Sequence, residues 1–138
     1  MRSLRLMFAL TLLAAATPGC VSDARPGESH AMRNGYTYLG ERWVDGGLDH
    51  DAIAVGRADG RWNSIMVVVE NAPVEMYDMI VTFGDGEKFD PKTRLTFGPD
   101  STSRMIDLPG HNRVIRRVDF HYGNLRGQGK AKVELWAR

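Results

Sequence analysis

Cysteine is almost absent: Cys20 is the single one in 138 residues, so no disulfide can close within the chain in any compartment. Charge of one sign is also missing, with 18 Lys and Arg against 17 Asp and Glu. Setting aside Arg2 and Arg5 of the leader leaves 16 basic to 17 acidic residues, which gives no overall footprint for nucleic acid. No Gly-x-Ser-x-Gly elbow offers a nucleophile, and no glycine loop opening a helix offers a phosphate cradle. The apolar run Leu6 to Ala16 is eleven residues long, too short to span a bilayer.

That run nevertheless suits the core of an export signal, because Arg2 and Arg5 precede it. Thr17-Pro18-Gly19-Cys20 then sets a small residue before the cysteine, as in the lipoprotein signals of bacteria, although Thr17 stands where such signals usually carry leucine. The expectation is a signal peptide over 1–20 with Cys20 lipidated, a flexible linker over 21–35 and a folded domain over 36–138. A plain secretory cut after Ala16 or Ala24 is the alternative. Membrane association then comes from acyl chains rather than a transmembrane helix. Val21 after the cysteine favours the periplasmic side of the outer membrane; without lipidation the protein would be periplasmic or secreted. The linker reading rests on 21–34, a polar segment without apolar periodicity.

Past residue 35 the pattern is that of extended chain. Tyr36 to Val44 is rich in strand formers and ends at Asp45-Gly46-Gly47. Ile53 and Val55 alternate against small residues, and Ala58-Asp59-Gly60 reads as a hairpin signal. Ile65 to Val69 is apolar on both faces, which demands cover on both sides. Over Val74 to Phe83 the apolar parity slips between Met76 and Met79, the mark of a β-bulge near Tyr77-Asp78. Phe83 to Phe89 holds a second Asp-Gly hairpin, and Lys130 to Ala137 alternates with a clean two-residue period. About eight or nine short strands, with turn signals every eight to twelve residues, specify an all-β antiparallel β-sandwich or small barrel. About 100 residues make one domain, burying a little over 60% of the unfolded surface.

The organising stretch runs from Leu108-Pro-Gly-His-Asn through Arg113-Val-Ile-Arg-Arg-Val-Asp-Phe-His-Tyr122. As a strand it places Val114, Arg116, Val118, Phe120 and Tyr122 on one face. Arg116 then needs an acidic partner or a place at the sandwich edge. Together with Phe83-Gly-Asp-Gly-Glu, this stretch resembles a family of short exported bacterial proteins described only as a domain of unknown function. The resemblance covers roughly Leu39 to Ala137. It implies a secreted all-β domain and carries no catalytic residues.

The charge is unevenly spread: Glu41 to Asp90 holds eleven acidic and four basic residues, Pro91 to Arg138 four acidic and ten basic. Pairing between the two halves is one reading. The other is a basic face made by Arg113, Arg117, Arg126, Lys130 and Lys132, aimed at a glycan, an anionic lipid or an envelope protein. Trp136 lies opposite its strand's core parity; exposed beside Tyr36, Tyr38, Trp43 or Trp62 it would make an aromatic glycan platform. Asp49-His50-Asp51 is the one cluster with metal-ligand chemistry, yet adjacent strand residues face opposite ways, so a catalytic zinc needs His111 or His121 as well. No cofactor follows from these residues. The sequence therefore implies a noncatalytic binding or accessory module of the cell envelope. A hydrolase or metal-binding protein built near His50, and a structural assembly subunit, are the alternatives.

Overall fold

The computed structural model describes residues 26–92, 94–124 and 129–138. Cys20 and Arg126, and with them the signal peptide expected over 1–20, lie outside the described residues. A short helix, α1 (Pro26–Arg33), precedes ten strands: β1 (Thr37–Val44), β2 (Gly47–Ala54), β3 (Ser64–Glu70), β4 (Val74–Phe83), β5 (Lys88–Phe89), β6 (Leu95–Phe97), β7 (Ser101–Thr102), β8 (Ile106–Asp107), β9 (Ile115–Asn124) and β10 (Ala131–Ala137). One sheet runs β1-β10-β3-β7, with β8 also on β3; the other runs β2-β9-β4-β5, with β6 also on β4. The described pairings are antiparallel. The fold is therefore the β-sandwich, not the barrel. Among the described residues no helix is long and apolar enough to cross a membrane.

The two inner faces meet along alternate residues. Val133 and Leu135 of β10 and Ile65, Val67 and Val69 of β3 oppose Val118, Phe120 and Tyr122 of β9, all of them buried. Each large apolar side chain so enclosed contributes roughly 1.5–3 kcal/mol. The second Asp-Gly signal closes β4 onto β5: Gly86 takes φ of 90°, and the Asp85 carboxylate accepts from the Glu87 amide at 2.9 Å. The bulge read at Tyr77 is present, since the β4–β9 register slips between Met76 and Asp78.

Four features depart from the sequence reading. Residues 26–33, placed in the flexible linker, form α1. An eight-residue helix is marginal alone. This one is fixed by Ala31, which packs with Tyr36, Met66, Val68 and Trp136 on the outer side of the first sheet. Its end is a Schellman cap: Gly35 at φ of 74° donates to the Met32 carbonyl, and the Tyr36 amide to that of Ala31. The same packing buries Trp136, so the aromatic platform does not form around it. Ala58-Asp59-Gly60 makes no hairpin. β2 and β3 belong to different sheets, and the connection is a tight 3-10 turn, Arg57–Asp59, held by the Asp59 carboxylate on the Gly56 amide at 2.7 Å. Finally, the β4–β9 register slips again where Thr82 faces Arg117 and Phe83 faces Ile115. Arg116 is the extra residue of that bulge, so Ile115 turns inward with Val118 and Arg116 turns out to solvent. The charged side chain needs no buried partner because the strand bends around it.

Candidate functional site

A concavity of about 630 Å³ lies at the end of the sandwich where β9 begins. Three short segments build it: the turn after β2, the β4–β5 hairpin and the bulged start of β9. Its floor is the carbon skeleton of Val55, Phe83, Val114 and Ile115; its rim is Arg57, Arg61, Asp85, His111, Asn112 and Arg116. Backbone bonds fix these pieces, with the Val55 amide on the Arg116 carbonyl at 3.0 Å and the Gly84 amide on that of Val114 at 2.8 Å. Trp62 and Arg113 exchange both backbone bonds, at 2.8 and 2.9 Å.

The cations of the protein fall into two groups. Arg113 is a structural clamp: its guanidinium lies 3.7 Å from the Phe83 ring centroid and reaches Glu87 at 2.7 Å, Asp85 at 3.4 Å and the Pro109 carbonyl at 2.8 Å. Arg117 grips Asp119, Arg94 grips Glu75 at 2.7 Å, and Lys130 reaches Asp45 at 3.2 Å. Much of the opposed charge of the two chain halves cancels through such pairs. Arg57, Arg61 and Arg116 differ. Among the described residues none of the three has a carboxylate within 4 Å, and Arg61 donates only to the Asn112 carbonyl, at 3.0 Å. All three are exposed and line the same cleft.

The residues expected to form one basic face are thus divided. Arg113 lines the cleft with its charge already answered, and Arg117 lies on the outer face of the second sheet. Lys132 belongs to β10 of the first sheet, and Lys130 immediately precedes that strand. Lys132 is nearly enclosed, 2.8 Å from Glu70 and also against Glu134. Burial, opposed by Lys132 and by the Trp136 indole, pushes the Glu134 carboxyl above the usual carboxylate range. At the edge of that cluster, burial and neighbouring Glu41 push the Tyr38 phenol up to about 12.

Asp49, His50 and Asp51 splay as the strand period requires. The Asp51 carboxylate accepts from the Tyr122 hydroxyl at 2.6 Å, and Asp49 accepts from the His50 amide. The His50 ring instead turns outward and stacks on His121, its partner across β2–β9, with centroids 4.2 Å apart and planes 3° from parallel. His50 Nε2 lies 3.3 Å from Asp119, and His121 Nδ1 3.9 Å from Asp78. Among the described residues no group of three His, Cys, Asp or Glu is placed to hold a metal ion. His111 lies at the other concavity, on the rim of the cleft, so it completes no set with His50.

The sequence analysis did not single out Arg57 and Arg61. Both flank Ala58-Asp59-Gly60, and reading that segment as a hairpin hid that it crosses between sheets and so carries its arginines to the sandwich end.

A family model, described as a domain of unknown function (DUF2541), matches residues 6–137. The chain belongs to the DUF2541 family. That agrees with the resemblance read from the Leu108 to Tyr122 stretch, within which Arg113 is the clamp over Phe83. No curated protein matches the chain. Among solved structures, a mutant of a family 29 carbohydrate binding module aligns at 20% identity and a TM-score of 0.35, covering 75% of this chain and 81% of that one. A CBM29-2 mutant complexed with cellulohexaose aligns at 18% identity and TM-score 0.34, over 75% and 80%. One complexed with mannohexaose aligns at 18% and 0.34, over 75% and 81%. Likenesses at this level carry no weight for the ligand of the DUF2541 domain.

Proposed function

We propose that this DUF2541 domain is a noncatalytic binding module that takes an acidic group of its ligand into the cleft at the start of β9. The observation that carries this reading is the convergence of Arg57, Arg61 and Arg116 on one concavity with no carboxylate within 4 Å of any of them among the described residues, the one carboxylate of the lining, Asp85, being paired with Arg113. Three guanidinium groups on one rim repel one another, and that repulsion is relieved when an anion enters. Guanidinium groups bind carboxylate, phosphate and sulfate in paired hydrogen bonds but do not pass protons, so the chemistry concentrated here is that of holding rather than turnover. Export, lipidation at Cys20 and a periplasmic position on the outer membrane complete the proposal. Their support is the N-terminal sequence.

The test is calorimetric titration of the purified domain with galacturonate, inorganic phosphate and sulfate at low salt. The expected result is saturable binding of at least one anion that weakens with added salt and is lost in Arg57→Gln/Arg61→Gln/Arg116→Gln with the fold intact by circular dichroism. No binding of any anion, or equal binding by the triple variant, would refute it. Fatty-acid labelling in cells, repeated with Cys20→Ala, tests the anchor.

A further inference from the structure

A second hollow, of about 470 Å³, lies on the outer face of the second sheet. Arg116 lines both it and the end cleft, so the two concavities meet at one guanidinium. Three rungs of side chains cross β2, β9 and β4 along this face: Ala54, Arg117 and Thr82; then Ala52, Asp119 and Ile80; then His50, His121 and Asp78. The alanines of the edge strand are too small to wall the face in, which leaves an open trough. His121 lies five positions beyond Arg116, about 17 Å of extended strand at roughly 3.3 Å per step.

Resting on the anion-binding reading above, we infer that the ligand is an acidic oligosaccharide: one carboxylated sugar sits in the end cleft, and the chain continues past Arg116 along the trough to the His50–His121 pair. Cations and carboxylates alternate along the path. Arg116 suits a sugar carboxylate, whereas Asp78, and the lone pairs that Arg117 and His50 leave on Asp119, accept hydrogen bonds from hydroxyl groups. Thr82 and the histidine ring nitrogens add donors. An unbroken run of phosphates has few hydroxyl donors to give those aspartates and would be repelled by them. Nucleic acid would also want exposed rings for its bases. Phe83 is the one Phe, Tyr or Trp side chain that the two hollows present, and Arg113 covers it. A lipid surface would want apolar protrusions, yet the exposed large apolar side chains (Tyr38, Trp43, Leu48 and Met105 among them) line neither hollow.

Galacturonate, trigalacturonate and hexagalacturonate, titrated in parallel with a polyphosphate and a single-stranded oligonucleotide of matched charge, test the inference. The expected result is affinity that rises at least about tenfold from monomer to hexamer, the gain being erased by His121→Gln. Arg116→Gln should weaken every length by about tenfold or more, the scale of a lost charge-assisted contact. Lys130→Gln, at the opposite end of the sandwich, should change none of them. Monomer binding with no gain in length would leave the anion-binding reading standing and overturn the oligosaccharide. Tighter binding of polyphosphate or oligonucleotide through Arg116 would overturn it in favour of that polymer. Absence of binding by every probe would overturn both readings together.

Discussion

Gly27 sits in the first turn of α1, buried against β3. Alanine is the better helix former by up to about 1 kcal/mol in a helix interior, so propensity alone predicts that Gly27→Ala stabilises the domain. The packing reverses the sign. A Cβ on Gly27 would stand 2.5 Å from Cγ1 of Val68, closer than carbon atoms pack. Val68 is fully buried and its β-branched side chain is stiff about χ1, so relief must come from lifting the start of α1 off the sheet. Overpacking of this kind costs about 1–3 kcal/mol. Less the propensity gain, which is smaller in a first turn, a net loss of about 1–2 kcal/mol is expected. At about 4–8 °C per kcal/mol for a domain near this size, the melting midpoint should fall by several degrees. Thermal unfolding followed by circular dichroism gives the midpoint, and tryptophan fluorescence reports whether Trp136, under the helix, gains water. An unchanged or higher midpoint with unchanged emission would refute the close contact between α1 and β3.

Lys132→Met should cost about 3–5 kcal/mol at pH 7, because it leaves the buried carboxylates of Glu70 and Glu134 without the lysine that both contact. Burial already raises Glu134, and loss of Lys132 raises it further; a raised carboxyl favours the folded state at low pH and loses that contribution as pH climbs through its folded value. The deficit against the parent should therefore shrink between pH 7 and pH 5 in urea unfolding, and a deficit independent of pH would contradict the assignment. Asp119 runs the other way. Burial acts to raise it, but the Arg117 hydrogen bond and charge, with His50, together hold it below its ordinary 3.8. Its contribution is present above that value and vanishes as pH falls through the lower folded one, so the stability difference between parent and Asp119→Asn should close in acid below about pH 4.

Much of the fold could be read from the chain because it rests on period and punctuation. Val133 and Leu135, or Val118 and Phe120, alternate where one face is buried, and the Met76–Met79 slip announced its bulge. α1 escaped because only Ala31 gives it an apolar contact, too little for a periodic signal. Two marks of it were nevertheless present: Pro26 at the first turn and Asn34-Gly35 at the end. The apolar outer side of Ile65–Val69 demanded a cover, and the segment set aside as linker supplied it. The site was less legible. Strand parity misplaced Arg116 because a bulge is invisible where the flanking residues are Val114, Ile115 and two arginines. Arg57 and Arg61 reach the cleft only because β2 and β3 lie in different sheets, a fact of topology that local pattern does not hold. Lys132, one of a basic set by composition, is held among the carboxylates of its own sheet, Glu70 and Glu134.

The account stands on Arg57, Arg61 and Arg116 receiving an acid in the end cleft. Titrating the ¹⁵N-labelled domain with galacturonate and following its backbone amides tests this most directly. The predicted result is saturable shifts at Val55, Gly84 and Asn112, which frame the cleft, with Asp45 and Lys130 at the far end unmoved. Shifts centred on Asp45 and Lys130, or none at the cleft at saturating acid, would contradict it.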